Sequence, residues 1–220
     1  MTNTSVQNDP HITEWLANSV THGLGLVASL FAFPVLVHAA ASRHDPLQLI
    51  GTVVYALSLV ILFAASTAYH SFVHTPARTL LRTIDHSAIY ILIAGSYTPF
   101  ALGPLRGPFG YTLLAVVWTI AVVGIALKLK RGFGRPWLTV TTYVGMGWIA
   151  ILGIRPLITH VGMDGVTWML AGGLLYTGGV IFYALDRKIR YGHAVWHLFV
   201  IAGSVCHFFA VLWHSGYTPP

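Results

Sequence analysis

Long, uninterrupted apolar segments limit what this chain can fold into more than any other feature of the sequence. Seven such segments are separated by short polar or basic connections, and each can cross about 30 Å of hydrocarbon as a helix. The apolar runs are continuous rather than alternating, which argues against transmembrane strands. Only 8% of the 220 residues are charged, whereas a soluble domain has about 25%. We therefore predict an all-α integral membrane protein, a bundle of seven transmembrane helices.

The predicted transmembrane domain covers residues 14–220 as one unit, and residues 1–13 form a polar N-terminal segment that we expect to be disordered. No basic stretch precedes a short apolar run there, so we expect no cleavable signal peptide. The seven spans are predicted at about Ala17–Ala41, Leu47–Phe72, Leu80–Leu102, Phe109–Leu127, Trp137–Ile158, Val166–Leu185 and Ala194–Trp213.

The distribution of Lys and Arg predicts the orientation of these spans. The connections after spans two, four and six contain nine basic residues, namely Arg78, Arg82, Lys128, Lys130, Arg131, Arg135, Arg187, Lys188 and Arg190. The connections on the other side contain three, namely Arg43, Arg106 and Arg155. Because basic loops stay in the cytoplasm, we predict a cytoplasmic N-terminus and an external C-terminus. This arrangement is the reverse of that in G-protein-coupled receptors.

Composition also narrows the classes of partner and ligand. The formal net charge of +6 comes mostly from Lys and Arg in the connections between spans. Because the sequence has no basic patch interleaved with aromatic residues, we expect no nucleic-acid partner. A single cysteine, Cys206, excludes an internal disulfide and a thiolate-rich metal site. Twelve histidines in a chain with so few charges point instead to metal or proton chemistry.

Three histidines and two other polar residues are predicted near the cytoplasmic ends of their spans. His193 and His197 lie on one face of the last span, and His70 ends the second span. With Asp85 at the start of the third span, they describe a zinc site with an open fourth position. Asp85 can accept a hydrogen bond from a zinc-bound water, and Ser66, one turn before His70, can donate one to a substrate. The alternative, that these residues are unrelated helix-to-helix hydrogen bonds, does not predict a shared depth.

A second polar stripe lies on the first span. Glu14, Asn18 and His22 follow one another at intervals of four, which places them on one helix face. The stripe can line a cavity above the metal, or it can cap the helix and face a neighbouring one. The sequence leaves both interpretations open.

The combination of these motifs resembles the hemolysin III family, the bacterial branch of the progestin and adipoQ receptor superfamily, from about Glu14 to His214. The motifs are Glu14, Asn18, Thr21-His22-Gly23, Ser66-x-x-x-His70, Asp85, Gly95-Ser96-Tyr97-Thr98-Pro99 and His193-x-x-x-His197. The resemblance implies a multi-pass protein of the bacterial inner membrane, with zinc held by His70, His193 and His197 and with Asp85 acting through a water. It also implies similarity to membrane ceramidases, which share the serine, aspartate and three-histidine pattern.

These features favour a zinc-dependent hydrolase of a lipid amide or ester, with Asp85 as the base, Ser66 as a positioning donor and a membrane lipid as the substrate. A receptor or regulator of membrane homeostasis is the main alternative, in which zinc only fastens helices together. A pore-forming hemolysin and a metal-ion transporter are further alternatives. A cavity that runs from the zinc to the membrane would favour the hydrolase.

Overall fold

The structure, a computed structural model, describes residues 12–132 and 136–216, and within them all regular secondary structure is helical. The helices, numbered here along the chain, are α1 (Ile12–Ala41), α2 (Pro46–Ser71), α3 (Arg78–Leu102), α4 (Pro108–Arg131), α5 (Pro136–Trp148), α6 (Ile154–Ala184) and α7 (Gly192–His214). A 3₁₀ segment, Ile149–Gly153, joins α5 to α6. The predicted disordered segment 1–13 lies mostly outside the described residues, and α1 begins at Ile12, five residues before the predicted span.

Within the described residues, five helical stretches are long and apolar enough to cross a membrane: Ile12–Ala41, Pro46–Ser71, Pro108–Lys130, Trp137–Ala184 and Gly192–His214. The prediction of a helical membrane bundle is therefore confirmed at this level. Helix α3 is not among the five because Arg78, Arg82 and Asp85 lower its hydropathy. The stretch from Trp137 to Ala184 has 48 residues and takes in the segments that the sequence predicts as spans five and six.

The helix interruptions within Trp137–Ala184 differ from those that the sequence predicted. We expected a loop at residues 159–165, but those residues are helical except at Gly162, whose φ of 80° kinks α6. The 3₁₀ segment has a local cause as well. Pro156 has no N–H group to donate to the carbonyl of Leu152, so the regular hydrogen-bond pattern cannot continue there. The chain therefore bends twice between Trp148 and Gly162.

The basic connection after the fourth span also differs from the prediction. We expected a linker from Lys128 to Pro136, but α4 continues to Arg131. Lys128 and Lys130 are therefore on a helix, and residues 133–135, which include the predicted linker residue Arg135, lie outside the described residues.

The turn between α1 and α2 is fixed by one carboxylate. The Asp45 side chain accepts hydrogen bonds from the backbone N–H groups of Leu47 and Gln48, which caps α2, and Pro46 opens that helix. Arg106, between α3 and α4, donates to the same carboxylate at 2.5 Å. Burial raises the pKa of Asp45, but the hydrogen bond and charge of Arg106 and the two backbone N–H groups lower it below its ordinary value.

Helix α2 lies between α1 and α3, while α6 packs along α7 and α7 also contacts α1. Close approach between neighbours depends on small residues: a Cβ at Gly51 would lie 2.9 Å from the backbone of Pro99, and one at Gly179 would lie 2.8 Å from Phe199. This packing brings the C-terminal end of α2, the first half of α1 and the N-terminal end of α7 together.

Candidate metal centre

Three histidines converge where the end of α2 meets the beginning of α7. His70, His193 and His197 each offer one ligand atom, and these atoms lie within 4.8 Å of one another. The ring centroids of His70 are 5.0 Å from those of both other histidines, and the rings of His193 and His197 are 4.8 Å apart. The structure thus brings together the three histidines that the sequence singled out, and their nitrogens can hold a metal ion. We call them the trihistidine cluster.

The environment of the cluster fits such a metal. His70 is 3% exposed and His197 is fully buried, whereas His193 is half-buried. Both ring nitrogens of His70 and the Nε2 atom of His197 are buried, with no hydrogen-bond partner among the described residues. Unpaired nitrogens in an apolar interior cost about 1–3 kcal/mol each, and a bound cation would use their lone pairs.

Thr21 on α1 orients His197. The Thr21 hydroxyl lies 3.0 Å from Nδ1 of His197, and it donates its own hydrogen to the carbonyl oxygen of Ala17 at 2.8 Å. The same hydroxyl lies 3.0 Å from the carbonyl oxygen of Asn18. With its hydrogen directed to a backbone carbonyl, the Thr21 oxygen is available to accept from Nδ1 of His197, in the tautomer that leaves the lone pair of Nε2 for a metal. Ligating histidines commonly donate their second ring N–H in this way, which fixes the tautomer and the ring orientation.

Asp186 lies beside His193 as Thr21 lies beside His197. Its Oδ2 atom lies 3.3 Å from Nδ1 of His193. The connection from α6 to α7 turns at Tyr191, whose φ of 60° is in the left-handed region, and this turn returns the chain toward Asp186. Neither the role of Asp186 nor the hydrogen bond of Thr21 was predicted from the sequence. Neither follows from helical spacing, because one depends on a loop and the other on the rotation of α1 against α7.

Asp85 and Ser66 form a second part of the site. Asp85 on α3 is 6% exposed and Ser66 on α2 is 1% exposed, and the Ser66 hydroxyl lies near the Asp85 carboxyl group. Since Ser66 precedes His70 by one helical turn on α2, Ser66 and Asp85 lie toward the same end of the bundle as the cluster. Among the described residues, the group close enough to share a metal contains the three histidines and not Asp85. Ser66 can orient the carboxylate from this position.

The polar stripe on α1 also reaches this site. His22 is 2% exposed, and its ring stacks on that of His197 with a centroid distance of 3.5 Å. Asn18 is buried beside the same histidine, whereas Glu14 is half-buried at the start of the helix. His22 also lines a cavity next to the cluster. Asn18 and His22 thus face the metal centre rather than the lipid.

That cavity has a volume of about 200 Å³ and lies between α3, α5, α6 and α7. Asp85 and His22 line it on the side of the cluster. Most of its other walls are apolar, and they continue to the opposite side of the bundle through Ile89, Val200, Leu157, Val166 and Leu105. The lining includes the Asp85 carboxylate but none of the three cluster histidines; a mostly apolar cavity with a carboxylate in its wall can hold a hydrocarbon chain with a polar head.

The sequence is similar to a known protein family over most of its length. A family model described as "Haemolysin-III related" matches residues 11–208. The chain is 40% identical to the hemolysin-3 homolog of Bacillus subtilis (strain 168), over 94% of this chain and 97% of the relative. It is 41% identical to hemolysin-3 of Bacillus cereus, over 97% of each chain. It is 28% identical to the human monocyte to macrophage differentiation factor, over 96% of this chain and 88% of the relative. No solved structure gives a significant match.

Proposed function

This chain belongs to the haemolysin-III-related family of multi-pass bacterial cell-membrane proteins, and from that premise we propose that it is a zinc-dependent hydrolase of a lipid amide or ester. One observation carries the proposal. Three imidazoles converge at the end of the bundle where a buried carboxylate that is not among them, Asp85, lines an apolar cavity. Three histidine ligands with a fourth position open are typical of catalytic zinc sites, whereas structural sites are usually closed by four protein ligands.

His70, His193 and His197 would hold the zinc. When bound, zinc polarises a carbonyl oxygen and makes water more acidic. The apolar walls bind the acyl chain, and Val200 and Ile89 exclude water around the carbonyl group that the chain brings to Asp85. Asp85 accepts the proton as water attacks the carbonyl carbon, and it then returns that proton to the leaving amine or alcohol. Ser66 holds the carboxylate in position for both transfers.

The proposal includes seven spans with the N-terminus in the cytoplasm. The excess of basic residues on one side supports it, as does the kink at Gly162, which divides the 48-residue stretch into two parts. In this orientation the trihistidine cluster lies toward the cytoplasmic surface, because the end of α2 and the beginning of α7 are both on that side.

A receptor or regulator with a structural zinc is the second candidate, and a specific observation favours it. The ligands join α2 to α7, and their hydrogen-bond partners come from α1 and from the connection after α6. A metal at this point would fasten four parts of the bundle whether or not it performed chemistry.

Turnover of a panel of lipid amides and esters separates the two functions. Wild-type protein should hydrolyse at least one class, and Asp85→Asn at matched zinc content should lower that rate by about a hundredfold or more, the usual effect of losing a general base. Asp164→Asn is the matched control, because Asp164 is exposed and is not among the residues that line the cavity. Absence of turnover in wild-type protein, or equal turnover in Asp85→Asn, would leave zinc with a structural role only.

A further inference from the structure

Two side chains of opposite charge are buried inside the bundle. Among the described residues, Lys128 on α4 is the only buried Lys or Arg and Asp85 on α3 is the only buried Asp or Glu, and each is 6% exposed. Lys130, two residues further along α4, is exposed. A lysine near the end of a transmembrane helix usually extends its amine to the membrane surface, so a buried lysine indicates a partner of opposite charge.

The packing of α3 against α4 places these two residues at the same level of the bundle. The helices are neighbours joined by a short connection, so they run antiparallel. Gly124 of α4 faces Tyr90 of α3, because a Cβ at Gly124 would lie 2.5 Å from the Tyr90 ring. Lys128 is four residues further along α4 and Asp85 is five residues back along α3, so both lie about one turn beyond this contact, toward the same end.

Tyr143 on α5 lies between the lysine amine and α3. The Nζ atom of Lys128 is 5.9 Å from the centroid of the Tyr143 ring, which is within the range of a cation–π contact. The Tyr143 hydroxyl donates to the carbonyl of His86 at 2.6 Å, and its ring is 4.5 Å from that of Tyr90. Tyr143 also lines the cavity together with Asp85. The amine is therefore beside a residue that is held against the segment of α3 that carries Asp85.

Few charged groups in the described part of the chain act on Asp85. The charged and titratable side chains that interact electrostatically with it there are Arg82 on its own helix, Lys128 on α4, Tyr143 on α5 and Tyr183 on α6. Tyrosines are neutral at physiological pH. Arg82 is exposed, so water and salt screen its charge. Lys128 is therefore the main source of positive charge for this carboxylate among the described side chains.

We propose that Lys128 is a positioning residue for the general base, with a buried ammonium group that keeps the Asp85 carboxylate ionised until it accepts a proton. This inference rests on the proposed function, because it takes Asp85 as the base. Burial alone favours the neutral acid, which cannot take a proton from water, whereas an adjacent cation favours the carboxylate. An opposite charge at close range changes the ratio of carboxylate to acid by about tenfold or more. Loss of the Lys128 charge should therefore slow proton transfer and leave lipid binding unchanged.

The protonation state of Asp85 tests the inference without turnover. Infrared spectroscopy of the full-length, zinc-loaded protein in detergent at neutral pH distinguishes a protonated carboxyl group from a carboxylate. Lys128→Met should gain a protonated-carboxyl band that wild type and Lys128→Arg lack. The band should be absent from the double variant Lys128→Met/Asp85→Asn, which identifies its source. No new band in Lys128→Met, or a band that persists in the double variant, would refute the charge pairing.

Kinetics with the lipid that wild type hydrolyses give the second test, at matched zinc content. In Lys128→Met, kcat should fall by about tenfold or more while KM stays near the wild-type value, and Lys128→Arg should restore most of the rate. Lys130→Met is the matched control and should behave as wild type, because Lys130 is exposed. Lys128→Gln, which keeps a polar group without the charge, takes the place of Lys128→Met if the latter does not fold.

The two tests separate failure of this inference from failure of the proposed function. An unchanged kcat in Lys128→Met, together with the loss of activity in Asp85→Asn, would refute the role of Lys128 and leave the proposed function standing. Absence of turnover in wild type would refute the proposed function and with it the base that Lys128 serves. The infrared comparison would then still decide whether Lys128 keeps the carboxylate ionised.

Discussion

Thr21 does not contact the metal position itself, but its hydrogen bond to His197 should affect how tightly the trihistidine cluster binds zinc. Thr21→Val replaces the hydroxyl by a methyl group of nearly equal size, so Nδ1 of His197 loses the acceptor that lies 3.0 Å away. The loss of such an outer hydrogen bond typically weakens metal binding by about 10- to 100-fold, or roughly 1.4–2.7 kcal/mol. Because the other two ligands, His70 and His193, are unchanged, we expect the lower end of that range, about tenfold.

The assay is zinc affinity of the purified protein, measured by competition with a chelator of known affinity. Thr67→Val is the matched control. It makes the same chemical change on α2, three residues before His70, but its hydroxyl donates only to the carbonyl of Phe63 in its own helix. Zinc affinity should fall in Thr21→Val and stay at the wild-type value in Thr67→Val. Unchanged affinity in Thr21→Val, or an equal fall in both variants, would refute the reasoning that Thr21 holds the ligand in place.

Three further predictions concern the second ligand partner, the topology and the turn before α2. Asp186→Asn should weaken zinc binding by less than tenfold, because the contact of Asp186 with His193 is longer, at 3.3 Å, and half-exposed. A larger loss of zinc affinity in Asp186→Asn than in Thr21→Val would contradict this prediction. A reporter fused after Pro220 should behave as extracytoplasmic and one after Lys130 as cytoplasmic, and the reverse pattern would overturn the orientation. Asp45→Asn should lower the thermal unfolding temperature at neutral pH, where the pair with Arg106 is charged. The pKa of Asp45 is lower in the folded protein than its ordinary value of 3.8, so its charge contributes full stability above pH 3.8 and loses that contribution as the pH falls through the folded pKa. The difference in unfolding temperature between Asp45→Asn and wild type should therefore shrink in acid. A difference that stays constant with pH would argue against the ion pair.

The sequence predicted those parts of the site that depend on helical periodicity. The spacing of His193 and His197 placed them on one helix face, and the common depth of His70 and Asp85 brought α2 and α3 to the same level. The helical nature of the chain followed from continuous apolar runs, and the ends of α2 lie within one residue of the predicted span.

The remaining features depend on three-dimensional packing and could not be read from spacing. The stacking of His22 on His197 requires the rotation of α1 against α7, and the contact of Asp186 requires the turn at Tyr191. The kink at Gly162 was missed because glycine inside an apolar run is compatible with an uninterrupted helix or with a loop. The cavity was inferred only as a requirement of the hydrolase hypothesis, and its walls come from four helices that no local pattern relates.

The metal content of the purified protein tests the central claim most directly. We predict about one zinc per chain, with nitrogen and oxygen ligands and no sulfur by X-ray absorption. Replacing both His193 and His197 by Ala should remove the zinc and lower the thermal unfolding temperature, because α2 and α7 lose their common ligand. Full retention of zinc in the double variant would contradict the assignment of the trihistidine cluster as the metal centre.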